Sequence, residues 1–364
     1  RGHRRARSRP SYMVTIHLVP HSHTDPGWLS TYDGYYTREV RVILNGVVKD
    51  LLNGPNRTFV WSETCFFARW YTEQNERRRQ EVRDLVVAGR LEFVGGGWVQ
   101  HDEAVCTVPS ILDSMTEGHA WLRDAFGVKP RVGWQIDSFG HAAASAALLA
   151  QMGLSSQVIN RIHFRLKASW RSTRLLEFDW RGVPALEAQR APLVHVLHTH
   201  YSAPKHFDFE GDAYNRPDRL KGAQQARDFR AMALKRAEAY RTKHVMVPVG
   251  DDFRWKRPTQ VYEAWERLMG DVEVEGKGLK VRFSTPSQYF DALGRSRARM
   301  PRFTADLLPY ADGEETWWTG YYGTRPRLKS LVRAAGAAVH VAEAACALAR
   351  AVGAVRDGGA GSGG

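Results

Sequence analysis

The chain has 364 residues, of which 43% are hydrophobic, so it can bury a large core in one large domain or two ordinary ones. Its formal net charge of +13 raises the possibility of a nucleic-acid partner. We expect none, because the basic residues are spread along the chain and no RNA-binding or helix-turn-helix signature is present. The three cysteines form no CxxC pair, which excludes a disulfide-rich framework and a zinc ribbon.

The two ends of the chain are predicted to be flexible. Residues 1–13 form a basic arm that we expect to be disordered, and residues 353–364 form a Gly-rich tail. The sequence shows no signal peptide and no uninterrupted apolar run of the roughly 18 residues that a membrane span needs. Because the first residue is Arg1 rather than Met, we expect a fragment or a processed form. The only membrane contact that we expect is through an N-terminal anchor outside this sequence.

The first predicted element is a buried strand at 14–19, which is short, apolar and half β-branched. It ends at His21-Ser-His-Thr-Asp-Pro-Gly-Trp28, where the Pro-Gly pair forces a turn. His23 and Asp25 are two residues apart, so in an extended chain their side chains face the same side. An imidazole with a carboxylate suits a zinc-like metal. The alternative is a polar turn whose histidines only hydrogen-bond the backbone.

Strands and helices alternate along the rest of the chain. Further strands are predicted at 58–61, 90–94, 131–136, 156–159, 194–198, 245–249 and 281–284. Helices are predicted at 35–52, 65–88, 110–126, 142–152, 216–240, 261–269 and 286–293, and an Ala-rich helix at 328–352 follows a boundary near 326. This alternation is typical of an α/β fold with a parallel sheet, either a barrel or a large open sheet. In both cases the polar turns that end the strands fall on one rim.

Most strands end in polar side chains that would meet on that rim. They are His23, Asp25, Glu63, Asp102, Glu103, Asp137, His141, Arg161, Asp251 and Asp252. Carboxylates dominate this set, and paired carboxylates in an aromatic-rich cleft suit the hydrolysis of a glycosidic bond. No P-loop, nucleophile elbow or dinucleotide-binding fingerprint competes with that interpretation.

Each of these groups also has a purely structural alternative. Asp137 could be the N-cap of the helix that follows it, and Asp251 and Asp252 could be turn residues. Arg161 could be a structural ion-pair partner. Three aromatic residues could belong to an ordinary core, namely Trp28, Phe139 and Trp318.

Five motifs follow one another along the chain. They are His21-Ser-His-Thr-Asp-Pro-Gly-Trp28, Gly95-Gly-Gly-Trp-Val99 with Asp102-Glu103, Trp134-Gln-Ile-Asp-Ser-Phe-Gly-His141, Gly250-Asp-Asp-Phe-Arg254, and Tyr310-Ala-Asp-Gly with Trp318-Thr-Gly-Tyr-Tyr322 and Thr324-Arg-Pro326. In this order they resemble glycoside hydrolase family 38, the class II α-mannosidases, over about residues 14–350. The first motif is similar to that family's metal motif, and the third is similar to its nucleophile motif.

The resemblance implies a retaining, zinc-dependent exo-α-mannosidase on a seven-stranded α/β barrel, with residues 14–326 as the catalytic domain. It makes His23, Asp25 and Asp137 the ligands of one zinc ion, with Asp137 also the nucleophile. Asp252 becomes the general acid/base, and the adjacent charge of Asp251 is expected to raise the pKa of Asp252. The expected substrate is a mannose-containing N-glycan. Its expected contacts are Trp28, Phe139, Arg161, Tyr201 and Trp318.

The motifs divide between two branches of the resembled family. Gly250–Arg254 and the His-Ser-His-x-Asp form resemble the Golgi mannosidase II branch, which trims α1,3- and α1,6-linked mannose. We therefore expect a Golgi location. His200–Pro204 resembles the lysosomal branch instead, so a lysosomal type is the alternative.

The family's fourth zinc ligand is a histidine of a His-His-Asp motif in the helical region after the barrel. Beyond Trp318 this chain has only His340, which lies in the Ala-rich helix without that motif. We therefore expect residues 327–352 to be the first helix of a truncated helical domain, and the zinc site to have three protein ligands. An inactive fragment that only binds carbohydrate is the alternative that this leaves open.

Overall fold

The computed structural model describes residues 13–183, 191–211 and 222–353. Apart from Met13 and Gly353, the expected basic arm and Gly-rich tail therefore lie outside the described residues. The strands are β1 (Val14–Pro20), β2 (Phe59–Trp61), β3 (Leu91–Phe93), β4 (Val132–Phe139), β5 (Ser156–Arg161), β6 (Glu177–Trp180), β7 (Leu193–Val196), β8 (His244–Val249), β9 (Leu279–Phe283) and β10 (Arg302–Phe303).

Helices follow most of these strands. The α-helices are α1 (Tyr32–Tyr35), α2 (Arg41–Asn53), α3 (Thr64–Thr72), α4 (Glu76–Val87), α5 (Val108–Phe126), α6 (Ala143–Gln151), α7 (Phe164–Thr173), α8 (Gly222–Ala237), α9 (Pro258–Val274), α10 (Pro286–Ser296), α11 (Gly320–Gly323) and α12 (Pro326–Ala351). A π-helical turn, Tyr36–Val40, joins α1 to α2. The predicted α/β class is confirmed by this order and by the parallel pairing of the strands.

The strands form three ladders in the described part of the chain. β1 lies between β8 and β9 and is parallel to both, β2 pairs with β3, and the third ladder has the order β10-β6-β7-β5-β4. Only β6 and β7 are antiparallel within these ladders. A single parallel bridge between His21 and Val60 connects the first ladder to the second. These ladders do not show the seven-stranded barrel that the resemblance implies, so that closure stays a prediction.

Both faces of β1 are largely buried, as in a sheet that is covered on both sides. Ile16 and Leu18 belong to the core that the helices form against the sheet, which includes Val47 and Trp265. Val19, on the other face, belongs to a second core. That second core also contains Val60, Trp134, Val158, Met246 and Tyr289. Because residues from several strands meet in it, the strand ends that follow are brought close together.

Several predicted helices have different bounds in the structure. The helix predicted at 65–88 is two helices, α3 and α4, and the Asn75 side chain caps the second by accepting a hydrogen bond from the backbone N–H of Arg78. The helix predicted at 35–52 is interrupted by the π-helical turn. Within the helix predicted at 216–240, the structure describes α8 (Gly222–Ala237). The predicted start of that helix lies in residues 212–221, outside the described residues. Gly127 ends α5 at a φ of 67°, as predicted.

Helix α12 lies exposed along its length and begins at the predicted boundary. It is the one helix of the described residues that is long and apolar enough to cross a membrane. Length and composition alone are weak evidence for a span, since core helices and signal sequences share them. His340 of α12 contacts Asp113 of α5 through Nε2 and Oδ2, 3.2 Å apart. The division into a catalytic domain and a truncated helical domain stays a prediction.

Candidate active site and metal-binding group

Three predicted ligands, His23, Asp25 and Asp137, come together at the carboxyl ends of β1 and β4. Their ligand atoms all lie within 4.8 Å of one another. His23 Nε2 is 3.3 Å from Asp25 Oδ1 and 3.3 Å from Asp137 Oδ2. A tetrahedral zinc site with bonds of about 2.0–2.2 Å separates its ligand atoms by roughly 3.3–3.6 Å. The two measured separations therefore fit a zinc-sized cation between these donors.

The His23 ring supplies a second observation in favour of a metal. Its Nε2 atom is buried and has no hydrogen-bond partner of suitable geometry, although two carboxylates face it. Burial alone lowers the pKa of His23, but the carboxylates of Asp137 and Asp25 outweigh burial and raise it well above its ordinary value. The site therefore attracts positive charge at Nε2, and a metal cation can take the place of that proton.

The other ring nitrogen of His23 faces a buried carboxylate. Glu63 Oε1 is 3.8 Å from His23 Nδ1, and the Glu63 side chain is 1% exposed. Thr24 Oγ1 donates to Glu63 Oε2 at 2.9 Å, and Gln100 Nε2 donates to Glu63 Oε1 at 2.7 Å. A carboxylate behind a metal-binding histidine fixes the orientation of the ring and strengthens it as a ligand. Glu63 was a strand-end candidate without a role; it lies at ion-pair distance from this ring rather than in a hydrogen bond with it, and we propose the supporting role for it.

Asp137 lies within β4, near its carboxyl end, rather than after the strand. The pairing of β4 with β5 shifts register between Gln135 and Phe139. Asp137 lies within this shift and has no regular partner on β5. The N-cap of α6 is Ala142, so the alternative in which Asp137 caps that helix is wrong. Asp137 is instead held from both sides, with one oxygen facing His23 and the other facing Arg161.

Arg161, at the end of β5, forms an ion pair with Asp137. Its Nε donates to Asp137 Oδ1 at 2.8 Å, and its Nη2 donates to the same oxygen. Burial alone raises the pKa of Asp137, but His23 and Arg161 outweigh burial and lower it, so this carboxylate is ionised. The guanidinium carbon lies 4.9–5.9 Å from four ring centroids. These rings belong to Phe139, Tyr201, Tyr310 and Trp318.

Asp252 reaches the same group of residues from the neighbouring strand. His23 and Asp252 form a parallel bridge, because Phe253 N donates to His23 O at 2.9 Å and His23 N donates to Asp251 O at 3.2 Å. Tyr201 Oη donates to Asp252 Oδ1 at 2.8 Å. Burial raises the pKa of Asp252, and the charges of Asp251 and Asp137 add to that rise. The predicted effect of Asp251 is therefore present, but burial is the larger cause.

The remaining predicted groups lie around this centre in different ways. Asp251 Oδ1 accepts a hydrogen bond from the backbone N–H of Asp252 at 3.0 Å, which fits the turn role considered for it. His21 is buried, and its Nε2 lies 2.9 Å from the carbonyl oxygen of Tyr201, so it supports the site without joining the donor group. Glu103 and His141 form a buried pair, with Oε1 and Nδ1 2.8 Å apart, outside the donor group. Within the described residues no fourth His, Cys or carboxylate joins His23, Asp25 and Asp137.

Aromatic side chains form a wall beside the ion pair. The rings of Phe139 and Trp318 are 4.9 Å apart, and Tyr321 lies 5.3 Å from Phe139. Tyr321 Oη donates to Asp102 Oδ1 at 2.7 Å, which is how Asp102 meets this wall. Phe139 and Trp318 are partly exposed, so the ordinary-core alternative does not describe them. Trp28 is 74% exposed and is not a core residue either.

Sequence reasoning missed the supporting polar groups. Gln100 and Thr24 donate hydrogen bonds to Glu63; Gln100 lies outside the motifs, and Thr24 lies within the first motif without a role assigned to it. Lys167 is buried and donates to the backbone carbonyl and the side-chain oxygen of Asn160, both at 2.8 Å, directly before Arg161. Its signal was visible, since a lysine on the buried face of a helix needs partners.

Comparison with known proteins identifies the family. A family model described as the N-terminal domain of glycosyl hydrolases family 38 matches residues 13–313. The chain therefore belongs to glycosyl hydrolase family 38, and the resemblance that its motifs indicate is confirmed. It is similar to a probable alpha-mannosidase of Arabidopsis thaliana, with 39% identity over 337 residues that cover 88% of this chain and 32% of that protein.

Other relatives are alpha-mannosidases of different types. The chain is 37% identical to the alpha-mannosidase 2x of Mus musculus, over 91% of this chain and 32% of that protein. It is 35% identical to the lysosomal alpha-mannosidase of Mus musculus, over 88% of this chain and 34% of that protein. The chain thus spans about a third of the length of these relatives. The crystal structure of an alpha-mannosidase from Enterococcus faecalis has the same fold, with a TM-score of 0.63 and 18% identity over 81% of this chain and 31% of that chain.

Proposed function

We propose that this chain is the catalytic part of a retaining, zinc-dependent α-mannosidase. The observation that supports this most directly is the position of His23 Nε2 3.3 Å from both Asp25 and Asp137, with Asp252 bridged to His23 from the segment that follows β8. Membership of family 38 and the alpha-mannosidase relatives point to the same reaction. His23, Asp25 and Asp137 would hold the zinc ion, which when bound would supply positive charge to grip sugar hydroxyls and polarise the ring.

Asp137 acts as the nucleophile in the first step. Its carboxylate is ionised, because His23 and Arg161 lower its pKa. The carboxylate oxygen forms a bond to the anomeric carbon of mannose while the glycosidic C–O bond breaks, giving a mannosyl-enzyme on Asp137. Arg161 holds one carboxylate oxygen in place, so the nucleophile approaches in one orientation.

Asp252 acts as the acid in the first step and as the base in the second. Its raised pKa keeps a proton available, and that proton passes to the departing glycosidic oxygen. In the second step the Asp252 carboxylate takes a proton from water as the water oxygen attacks the anomeric carbon. The bond to Asp137 breaks, its carboxylate is restored, and mannose leaves with its original configuration.

The aromatic wall and Arg161 form the proposed mannose subsite. Phe139 and Trp318 present partly exposed rings beside Asp137, and aromatic faces of this kind pack against sugar rings. Tyr201, which we also assign to substrate binding, donates a hydrogen bond from its hydroxyl to Asp252, and its ring faces Arg161. We also assign Trp28 to substrate binding, and its 74% exposure leaves its ring available to a ligand.

The substrate class that we propose is terminal α-linked mannose of N-glycans, with the α1,3 and α1,6 linkages of a Golgi type as the first choice. The Gly250–Arg254 motif supports the Golgi type, and His200–Pro204 supports a broad lysosomal type. Identities of 37% and 35% to relatives of the two types do not separate them. A Golgi or a lysosomal location follows from the same choice. Hydrolysis rates on α1,3-, α1,6- and α1,2-linked mannobiosides would separate the two.

The test of the proposed function is zinc content together with hydrolysis of an aryl α-mannoside. Asp137→Asn should keep the fold and abolish turnover, since removing the nucleophile removes the covalent route. NMR of the first-formed product should show retention of the α configuration. Full activity in Asp137→Asn would sink the nucleophile assignment.

A carbohydrate-binding fragment is the second candidate, and the three-member donor group favours it because the zinc site of the family has a fourth protein ligand that the described residues do not supply. Binding of mannosides with no turnover in zinc-loaded protein would select this candidate. Turnover would select the enzyme.

A further inference from the structure

A basic cleft lies at the opposite end of the strands from the donor group. We call it the basal cleft, and it has a volume of about 280 Å³. Its walls come from β1, β8, β9 and the last turn of α10. The lining residues that bear on its charge are Thr15, His17, His244, Lys280, Arg282 and Arg295. No carboxylate lines this cleft, whereas three of its residues are permanently positive at neutral pH.

Strand pairing explains why these residues share one surface. In the parallel ladders Thr15 is paired with His244 on one side and Lys280 on the other, and His17 is paired with Arg282. Directly paired residues of neighbouring strands point to the same face of a sheet, and positions two apart on a strand share that face. The strand register therefore places the side chains of Thr15, His17, His244, Lys280 and Arg282 on one face of the sheet.

The central cation of the cleft is held by neutral partners. Arg282 Nε donates to Ser284 Oγ at 2.9 Å, and Arg282 Nη2 donates to Gln288 Oε1 at 3.2 Å. His17 is 1% exposed, with Nδ1 2.9 Å from Ser284 Oγ and Nε2 3.1 Å from His244 Nδ1. The guanidinium is thus fixed in position while its charge is not neutralised by these contacts.

Carboxylates near the cleft are already paired. Asp291, one turn before Arg295 on α10, forms a bidentate ion pair with Arg131. Glu177, which acts on His244 electrostatically, is hydrogen-bonded to Tyr289 and lies 3.0 Å from His195. Among the described residues, none of the ion pairs within 4.0 Å includes Lys280, Arg282 or Arg295.

The electrostatic sum favours an anion. Burial, followed by Arg282, His244 and Arg295, lowers the pKa of His17 to about 3, so the two facing imidazoles are not expected to add charge of their own at neutral pH. The last turn of α10 contributes a partial negative charge of about one half, which three formal positive charges outweigh. The neutral imidazoles of His17 and His244 and the hydroxyl of Ser296, which also lines the cleft, can still donate hydrogen bonds to an oxyanion.

We propose that the basal cleft binds a tetrahedral oxyanion, either free or as a small phosphate or sulfate ester. Arg282 is the fixed donor at the base of the cleft, and Lys280 and Arg295 close around the anion from the rim. Arginine forks match the oxygens of such groups. The volume decides the size of the ligand, because about 280 Å³ lies at the low end for ligand pockets and fits one such group with a few carbon atoms.

The test is a titration of inorganic phosphate into the 364-residue chain, followed by ³¹P NMR at constant ionic strength. We expect saturable binding that Arg282→Gln weakens by about tenfold and that Lys280→Gln, at an exposed position, weakens by about threefold. The matched control is Arg165→Gln, which removes one positive charge from an exposed pair with Glu314 and should leave phosphate binding unchanged. Because Lys280 is exposed, its variant keeps the test valid even when Arg282→Gln fails to fold.

Two further ligands identify the source of the anion. Glycerol 3-phosphate binding more tightly than inorganic phosphate assigns the cleft to a phosphate ester, and equal binding of sulfate assigns it to any tetrahedral oxyanion. Absence of saturable binding, or equal weakening by Arg165→Gln and Arg282→Gln, would overturn the proposal. This outcome is independent of mannosidase activity, since the cleft lies at the other end of β1 from His23.

Discussion

Glu63 provides the sharpest test of the donor group, because it is buried behind His23 and has no direct place among the ligands. The perturbation is Glu63→Gln, which keeps the shape of the side chain and removes its charge. Glu63 Oε1 is 3.8 Å from His23 Nδ1, and a full charge pair at that separation is worth about 4 kcal/mol at an effective dielectric constant of 20. That figure is an upper limit, since the metal would lie on the far nitrogen of the ring.

The expected loss is smaller and can be measured. Carboxylates in this supporting position typically change metal affinity by about 10–100-fold, which corresponds to about 1.4–2.7 kcal/mol. We expect the zinc Kd of Glu63→Gln to rise within that range, measured by competition with a chromophoric chelator at pH 7. At saturating zinc, most of the mannosidase rate should return.

The chain offers a matched control for this experiment. Glu103 is another buried glutamate against a histidine, with Oε1 2.8 Å from His141 Nδ1, but this pair lies outside the donor group. Glu103→Gln should lower the free energy of unfolding and leave the zinc Kd unchanged. An equal rise in zinc Kd for both variants, or no rise for Glu63→Gln, would refute the supporting role of Glu63.

Three further predictions concern the pH profile and the metal. Tyr201→Phe removes a hydrogen bond that lowers the pKa of Asp252, so that pKa should rise further. The alkaline limb of the pH profile of kcat/KM should then move to higher pH, because the acid must be protonated. An unmoved limb would contradict the assignment of Asp252 as the acid. Arg161→Gln removes a group that lowers the pKa of Asp137, so the acid limb should also move to higher pH, because the nucleophile must be ionised; a shift to lower pH would contradict this. Zinc removal by a chelator should leave His23 protonated at neutral pH, because the carboxylates raise its pKa. The NMR shifts of the C–H protons of its ring should report that charge. A neutral ring would show that the carboxylates do not control the protonation of this histidine.

The strand ends were the most predictable part of the molecule. An apolar run followed by a Pro-Gly pair was enough to predict that β1 stops near His21, and β1 in the structure ends at Pro20. His23, Asp25 and Asp137 were selected by motif and meet as expected. Their mutual distances could not be predicted, because they depend on the pairing of strands that are far apart in the chain.

Interruptions within elements were less predictable. Residues 65–88 have enough helical pattern to predict one helix, but the chain turns at Glu73–Asn75 and Asn75 caps a new helix. β6 was missed because it is only four residues long, and it pairs antiparallel in an otherwise parallel ladder. Asp137 was predicted to follow its strand, whereas β4 continues through Phe139 after a shift in register. Strand pairing decided the two strand cases, whereas the local Asn75 cap divided the helix.

The site also contains residues whose role no motif could indicate. Gln100 and Thr24 both donate hydrogen bonds to Glu63, although Gln100 lies outside the motifs and Thr24 lies within the first motif without a role of its own. Trp28 was expected beside the mannose subsite, and the structure leaves it 74% exposed, so its contact with substrate stays a prediction. The basic residues of the basal cleft were taken as scattered along the chain, because only the β8-β1-β9 register places them on one face.

The bridge between His23 and Asp252 has a consequence for how this protein can change. Backbone hydrogen bonds join the two positions. Phe253 N donates to His23 O, and His23 N donates to Asp251 O. A side chain at 252 can therefore be exchanged without moving the backbone that positions the donor group, and the converse holds as well. Single substitutions at either position can therefore alter the donor group or its proposed proton-transfer partner while the backbone between them is kept.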